Sequence, residues 1–132
     1  MTGAHGPSRR RTVLPVMLGV LVAGCATTTT VDPVGSSRAA KPESCPIAVV
    51  AHVDGDQAPA GYTRLGRVET HLVRNMFGGG QPTVDDAMPE LRAAACKLGG
   101  DALAIDDAMT TSATETRHLH VWASVFARKA GG

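Results

Sequence analysis

The stretch TVDDAMPELRAAACKLGGDALAI, residues 83–105, contains a helix, its stop signal and the strand that follows. Its apolar residues recur at three- and four-residue steps, which places them on one stripe of a helix. These residues are Val84, Ala87, Met88, Leu91, Ala95 and Leu98. Because Pro89 is tolerated only near the first turn, we expect the helix to begin at Asp85 or Asp86. Gly99-Gly100 ends the helix, and a strand is predicted from Ala102 to Met109.

Three further segments around this helix are predicted to be strands. Residues 47–53, IAVVAHV, form a β-branched run that ends at a turn signal. Residues 62–73 and 117–127 alternate between apolar and polar side chains, and Gly66 is expected to mark a bulge. The element order β-β-α-β-β predicts an α+β fold. We expect a small single domain over residues 45–129, with a mostly antiparallel four-stranded sheet and one helix packed on it.

The N-terminus has the pattern of an export signal. Arg9, Arg10 and Arg11 precede the apolar run VLPVMLGVLVAG, residues 13–24, which is shorter than the roughly 20 residues that a helical membrane span needs. The sequence Val22-Ala23-Gly24-Cys25 resembles the lipobox of bacterial lipoproteins. That resemblance implies removal of residues 1–24, a lipid on Cys25, and attachment to a membrane. Ala26 after the cysteine resembles lipoproteins sorted to the outer membrane, where the domain would face the periplasm.

The charge balance of the chain argues against nucleic-acid binding. The chain has 132 residues, 13 Lys and Arg, and 12 Asp and Glu, for a net charge of +1. Without residues 1–24, three arginines are lost and the net charge becomes −2. Neither value is typical of a nucleic-acid-binding protein, and we expect no nucleic acid partner.

Residues 25–44, rich in Thr, Ser and Pro, are expected to form a lipid-anchored flexible tether.

Two cysteines remain after Cys25. In an exported chain, the pair Cys45 and Cys96 favours one disulfide. Cys96 lies about 140° from Leu91 on the helical wheel, so it needs a cover that the segment at Cys45 can supply. The bond would contribute on the order of 3–4 kcal/mol in the loop-entropy model. A redox switch or a metal-binding pair is the alternative, although the chain has no Cys-x-x-Cys motif.

Three segments are similar to those of known envelope domains. Residues 45–49 (CPIAV), 61–68 (GYTRLGRV) and 91–103 (LRAAACKLGGDAL) resemble the opening, second strand and helix-to-strand junction of small envelope lipoprotein domains. The relatives are the YbjQ-like heavy-metal-binding domain and the stress-sensor lipoprotein of the Rcs system. The resemblance extends over about the last two thirds of the chain. It implies strands flanking a helix and implies no catalytic residue.

The candidate site residues are histidines. His118 and His120 are two apart on a predicted strand, so they share a face, and His71 and His52 lie on other predicted strands. Three converging imidazoles, for which His71 is the third candidate, would suit zinc or copper. The plainer alternative is that the exposed face of a strand is simply polar. Ser124 shares that face with His120, but the two are too far apart to predict a nucleophile and its base.

The sequence therefore predicts a non-enzymatic, lipid-anchored envelope protein. Its disulfide-stabilised domain would act in interaction or sensing, with an envelope protein as partner and no cofactor beyond the lipid. The alternative is a periplasmic metal-binding domain that uses His118, His120 and His71. A hydrolase is the third hypothesis, for which the spacing of residues shows no site.

Overall fold

The structure, a computed structural model, describes residues 26–35, 38–77 and 79–131. Its elements in chain order are β1 (Ala26–Pro33), β2 (Ala48–Val49), β3 (Tyr62–Asn75), α1 (Val84–Lys97), β4 (Ala102–Ser112) and β5 (Thr116–Arg128). The expected signal peptide, residues 1–24, and Cys25 lie outside the described residues. No helix in the described part of the chain has the length and apolar character that a membrane span requires.

The strands form one five-stranded sheet in the order β1-β3-β5-β4-β2. The β1–β3, β3–β5 and β4–β5 pairs are antiparallel, whereas β2 pairs with β4 in parallel. Helix α1 packs on one face, since its buried residues share a core with alternate residues of β3, β4 and β5. The chain is therefore a small α+β domain with one helix and a mixed sheet. The expected four-stranded, mostly antiparallel sheet was close but one strand short.

The core lies between α1 and the sheet. Leu91 is fully buried at the centre of the helix, and Phe126 anchors a smaller cluster on the opposite face of the sheet. The sheet residues beneath α1 alternate along each strand because successive side chains point to opposite faces. They include Val68, Leu72, Leu103, Leu119, Val121, Ala123 and Val125.

The helix begins at Val84, one residue before the predicted start. Thr83 is the N-cap, and its backbone N–H donates to Asp86 Oδ2 over 2.7 Å. This capping contact fixes the first turn independently of Pro89, which therefore falls in the second turn. At the other end Gly99 adopts a φ of +76°, a left-handed conformation that ends helices. Lys97 and the two glycines end the helix as predicted.

Residues 26–33 form the edge strand β1, although residues 25–44 were expected to be a flexible tether. Each residue from Ala26 to Pro33 pairs with one of β3, from Val73 back to Gly66. Thr29 Oγ1 lies 3.3 Å from Thr70 Oγ1, and Val31 packs against the core. Threonine is β-branched and favours strands, so a polar run can add to an existing edge. The folded unit therefore includes residues 26–33, which lie outside the expected domain of residues 45–129.

The first predicted strand, residues 47–53, is mostly irregular. Only Ala48 and Val49 pair with β4, and the segment then leaves the sheet. The bulge predicted at Gly66 is confirmed, since the register with β5 shifts between Arg64 and Gly66. An alanine Cβ at Gly66 would lie 2.5 Å from the carbonyl oxygen of Asp32, so only glycine lets β1 pair this closely.

The predicted disulfide between Cys45 and Cys96 is confirmed. It joins the segment before β2 to the last turn of α1, with the two Cα atoms 5.9 Å apart. The backbone N–H of Lys41 also donates to the carbonyl oxygen of Cys96 over 2.8 Å. The Asp101 carboxylate accepts hydrogen bonds from the Lys41 ammonium and from the backbone N–H of Arg128. Residues 38–47 are thereby fastened across the C-terminal end of the helix.

Candidate functional site: a histidine face on the sheet

The register of β3 and β5 brings together the three histidines that the sequence singled out. His71 lies opposite His120, and Val73 lies opposite His118. Their neighbours Thr70, Leu72, Leu119 and Val121 are buried beneath α1, so the alternating histidines occupy the other side of the sheet. We call this surface the histidine face and define it by Glu69, His71, His118, His120, Trp122 and Met109.

The rings of the histidine face form a continuous stack. The His71 and His120 centroids lie 4.0 Å apart with planes inclined by 11°, and Trp122 stacks on His120 with its centroid 5.8 Å away. His118 stacks on the other side of His71 at 5.1 Å. The four rings shield one another, so each histidine is only half-exposed. The stack is a preformed surface rather than a set of separate side chains.

Hydrogen bonds restrict the protonation of this stack. His71 Nε2 lies 2.9 Å from His118 Nδ1, and His118 Nε2 lies 2.8 Å from Thr116 Oγ1. If both rings were imidazolium, two N–H groups would face each other across the first contact, and the bond would be lost. The geometry is satisfied when at least one of the two rings is neutral. A neutral histidine can also act as a metal ligand.

Burial lowers the pKa of His71 below its ordinary value, and the neighbouring His120 and His118 lower it further. Glu69 acts in the opposite direction but is the weakest of these influences. Its carboxylate lies 3.5 Å from His120 Nδ1, so it also faces the stack. His71 is therefore neutral at pH 7, in the form that can accept a hydrogen bond or bind a cation.

We expect the domain to lose stability as the pH falls through the range just below 6.5. In that range an unfolded His71 takes up a proton while the folded one, with its lowered pKa, does not, so protonation favours the unfolded state. The loss stops once the pH is below the folded pKa. Asp86 and Asp101 also have lowered pKa values, but their contribution is lost only below the usual carboxylate pKa of 3.8.

Thermal melts at pH 7.5 and 5.5 measure this effect. The Tm should be lower at pH 5.5, and His71→Asn should reduce the difference. His52→Gln serves as the control because His52 is an exposed histidine whose partners are Asp54 and Asp106 and not the stack. A pH dependence that is unchanged in His71→Asn would show that the stack is not its source.

The stack does not yet have the geometry of a metal centre. Within residues 26–35, 38–77 and 79–131, no three His, Cys, Asp or Glu side chains are arranged to hold a metal ion. The ring planes of His71 and His120 are nearly parallel, and the nitrogens of His71 and His118 are hydrogen-bonded to each other instead of facing a common point. Zinc binding would require the rings to turn until three nitrogens lie about 2.0–2.1 Å from one point.

His52 does not join the histidine face. Its Nδ1 lies 3.0 Å from Asp106 Oδ1, and Ser124 Oγ donates to Asp106 Oδ2 over 2.7 Å. Asp106 follows Ile105, which lies opposite the buried Ala123, so strand alternation places the Asp106 side chain on the face of Ser124. Ser124 therefore bonds to a carboxylate and not to His120, and the order serine–aspartate–histidine lacks the serine-to-histidine contact that activates a nucleophile. These contacts fasten the loop after β2 to the sheet.

Sequence reasoning missed Met109, which lies opposite His120 on the histidine face, and Thr116, whose hydroxyl contacts His118. Glu69 and Trp122 follow the same two-residue alternation as the histidines, so their shared face was readable from the sequence. That they lie opposite each other depends on the register between β3 and β5. Thr116 lies at the start of β5 and contacts His118 only because both are on one face of that strand.

The comparisons with known proteins add little to this picture. No family model matches the chain, and no curated protein matches it. Among solved structures it is similar to the Francisella virulence factor FvfA. The TM-score is 0.49 at 13% sequence identity, over 79% of this chain and 100% of that one.

Proposed function

We propose that this chain is a non-enzymatic lipoprotein of the bacterial envelope, anchored through Cys25, whose disulfide-bonded domain serves in interaction or sensing. Its location would be the periplasmic side of the outer membrane. Support comes from the sequence Val22-Ala23-Gly24-Cys25 at the end of an apolar run. The disulfide is in keeping with an oxidising compartment.

The observation that carries the proposal is the exposed apolar surface near Ala26, the first residue after Cys25. Ala26 lies opposite Val73, near the end of β3, and the loop that follows β3 presents Met76 and Phe77 to solvent. Phe77 is 86% exposed and Met76 is 40% exposed. Large exposed apolar side chains favour contact with a protein or a membrane. A lipid on Cys25 would hold this end of the sheet at a bilayer surface.

Substitution of Cys25 tests the anchor. Cells that express the wild-type chain should incorporate a clickable fatty acid into it and retain it in membranes, whereas Cys25→Ser should abolish the label completely. Ala26→Ser is the matched control, because it makes a small change next to the lipobox and leaves all three cysteines in place. Fatty-acid label that persists in Cys25→Ser would disprove the proposal.

Metal binding is the second candidate function, and the closeness of His71, His118 and His120 favours it. The His71 and His118 nitrogens already lie 2.9 Å apart, so modest ring rotations would bring both to one ion. His71 needs to lose no proton at pH 7, since its pKa is lowered. Zinc and copper are the ions that imidazole ligands suit.

Native mass spectrometry and calorimetry with zinc and copper salts test this candidate. One ion per chain should bind, and His118→Ala/His120→Ala should weaken that binding at least a hundredfold. His52→Ala is the control, as it removes a histidine outside the histidine face. Undiminished stoichiometric binding in the double variant would reject the site.

A further inference from the structure

A groove at the end of the sheet farthest from Ala26 is lined by four cationic side chains. It has a volume of about 630 Å³ and runs between the segment after β1, the start of β3 and the end of β5. Arg38, Arg64, Arg128 and Lys129 line it, and no Asp or Glu among the described residues does so. A concentration of four cations on a chain that becomes net negative without residues 1–24 creates a local field that attracts anions.

Arg64 is the most informative of these residues. Its Nε–H is buried and has no hydrogen-bond partner among the described residues, although its Nη1 donates to Asp56. A buried donor without a partner is unfavourable, so the guanidinium is incompletely satisfied in the free protein. The register of β3 against β5 shifts directly after Arg64, so this arginine lies beside the irregular part of the strand.

The anionic partners that these cations already have are weak competitors. Asp56 is 95% exposed, so its ion pair with Arg64 is well solvated and contributes little. The Arg38 to Asp101 separation is 3.9 Å, at the outer limit of an ion pair. Asp101 is already occupied by the Lys41 ammonium and the backbone N–H of Arg128. An incoming oxyanion would therefore meet cationic groups that are not strongly neutralised.

We propose that this cationic groove is a binding site for a phosphate or carboxylate oxyanion. Arginine matches such groups because its planar fork donates two parallel hydrogen bonds to two oxygens. An oxyanion in the groove would meet the incompletely satisfied guanidinium of Arg64, while Arg128 and Lys129 would supply further charge. The volume is sufficient for a small ligand or for the charged end of a larger one.

The inference about which way the groove faces relative to the membrane rests on the proposed lipid anchor. The inference that the groove binds anions does not. Strand β1 is eight residues long, so its ends lie about 25 Å apart. Ala26 lies at one end of this strand, and the groove includes Val34, directly beyond the other end. A chain anchored at Cys25 would hold the groove away from its own bilayer. The expected ligand is thus an oxyanion from the aqueous side and not a headgroup of the anchoring leaflet.

The test titrates the purified full-length chain, in an uncharged detergent and at constant ionic strength, with inorganic phosphate and separately with citrate. Backbone amide shifts in NMR spectra should saturate and, among the described residues, should be confined to the groove residues 34, 35, 38, 63–65 and 127–130. Arg128→Gln/Lys129→Gln should weaken the affinity at least tenfold. Arg92→Gln/Lys97→Gln is the matched control, since it removes the same charge from the exposed side of α1 and should change nothing.

A further variant, the control and a vesicle-binding measurement distinguish the possible outcomes. Arg64→Gln should also weaken binding at least tenfold, and the Arg128 and Lys129 variant decides the matter if Arg64→Gln does not fold. Saturation by phosphate or by citrate supports the proposal and identifies the oxyanion. Unsaturable shifts, equal losses in the control, or binding only to cosedimented phosphatidylglycerol vesicles would overturn it. The intact mass of the same sample reports the lipid on Cys25, so a failed anchor is distinguished from a failed groove.

Discussion

Replacement of both Cys45 and Cys96 by alanine is expected to lower the free energy of unfolding by about 4 kcal/mol. The two cysteines are 51 residues apart in sequence, and the loop-entropy model assigns about this value to a loop of that length. A domain of this size has little stability to spare, because small domains bury a smaller fraction of their surface. The variant is therefore expected to be largely unfolded at 37 °C.

Alanine is the appropriate replacement because Cys96, in the last turn of α1, is fully buried. Serine would add a buried hydroxyl and confuse the loss of the bond with the cost of an unsatisfied polar group. Urea unfolding with and without a reductant measures the effect. The wild type should fall to the level of the variant when it is reduced, and the variant should not respond to the reductant. A midpoint that is the same for the oxidised wild type and the variant would contradict the prediction.

The second large effect is expected from Gly99→Ala, which should cost about 2–5 kcal/mol. Gly99 has a φ of +76°, a conformation that costs an L-residue about 1–2 kcal/mol. In addition, the new Cβ would lie 2.6 Å from the carbonyl oxygen of Ala39 and 3.0 Å from Cβ of Arg38. The segment that crosses the end of the helix would have to move, although Lys41 and the disulfide hold it there.

Gly55→Ala separates the two contributions. Gly55 has a similar φ of +69°, but a Cβ placed there would meet nothing within 4 Å. Its expected cost is only the backbone part, about 1–2 kcal/mol. Urea unfolding of the two variants side by side should show the larger loss for Gly99→Ala. Equal losses would mean that the crossing segment yields freely and that the close contact with Ala39 has no energetic weight.

The helix and the three longer strands could be predicted from the sequence because each signal is local. The stripe through Leu91 and the Gly99-Gly100 stop define α1, and alternation defines β3 and β5. Strand β1 could not be predicted in this way. Its run of threonines has no apolar periodicity, and it becomes a strand only because the edge of β3 is present to pair with it. Strand β2 is two residues long and depends on β4 in the same manner.

Only part of the candidate site could be predicted from the sequence. His118 and His120 share a face by simple alternation, but the position of His71 opposite His120 depends on the bulge at Gly66, which sets the register. The cationic groove gave no signal, because its four charged residues come from three separate segments of the chain.

The order of the strands also determines when the chain can fold. Strand β5 is the last to be synthesised, yet it lies between β3 and β4 at the centre of the sheet. Until residues 116–128 emerge, β1 and β3 have no link to β4 and β2 through the sheet. Long-range pairing of this kind is slow. The domain can therefore close only after synthesis has reached its last strand, and a polypeptide interrupted before residue 116 would lack the centre of its sheet.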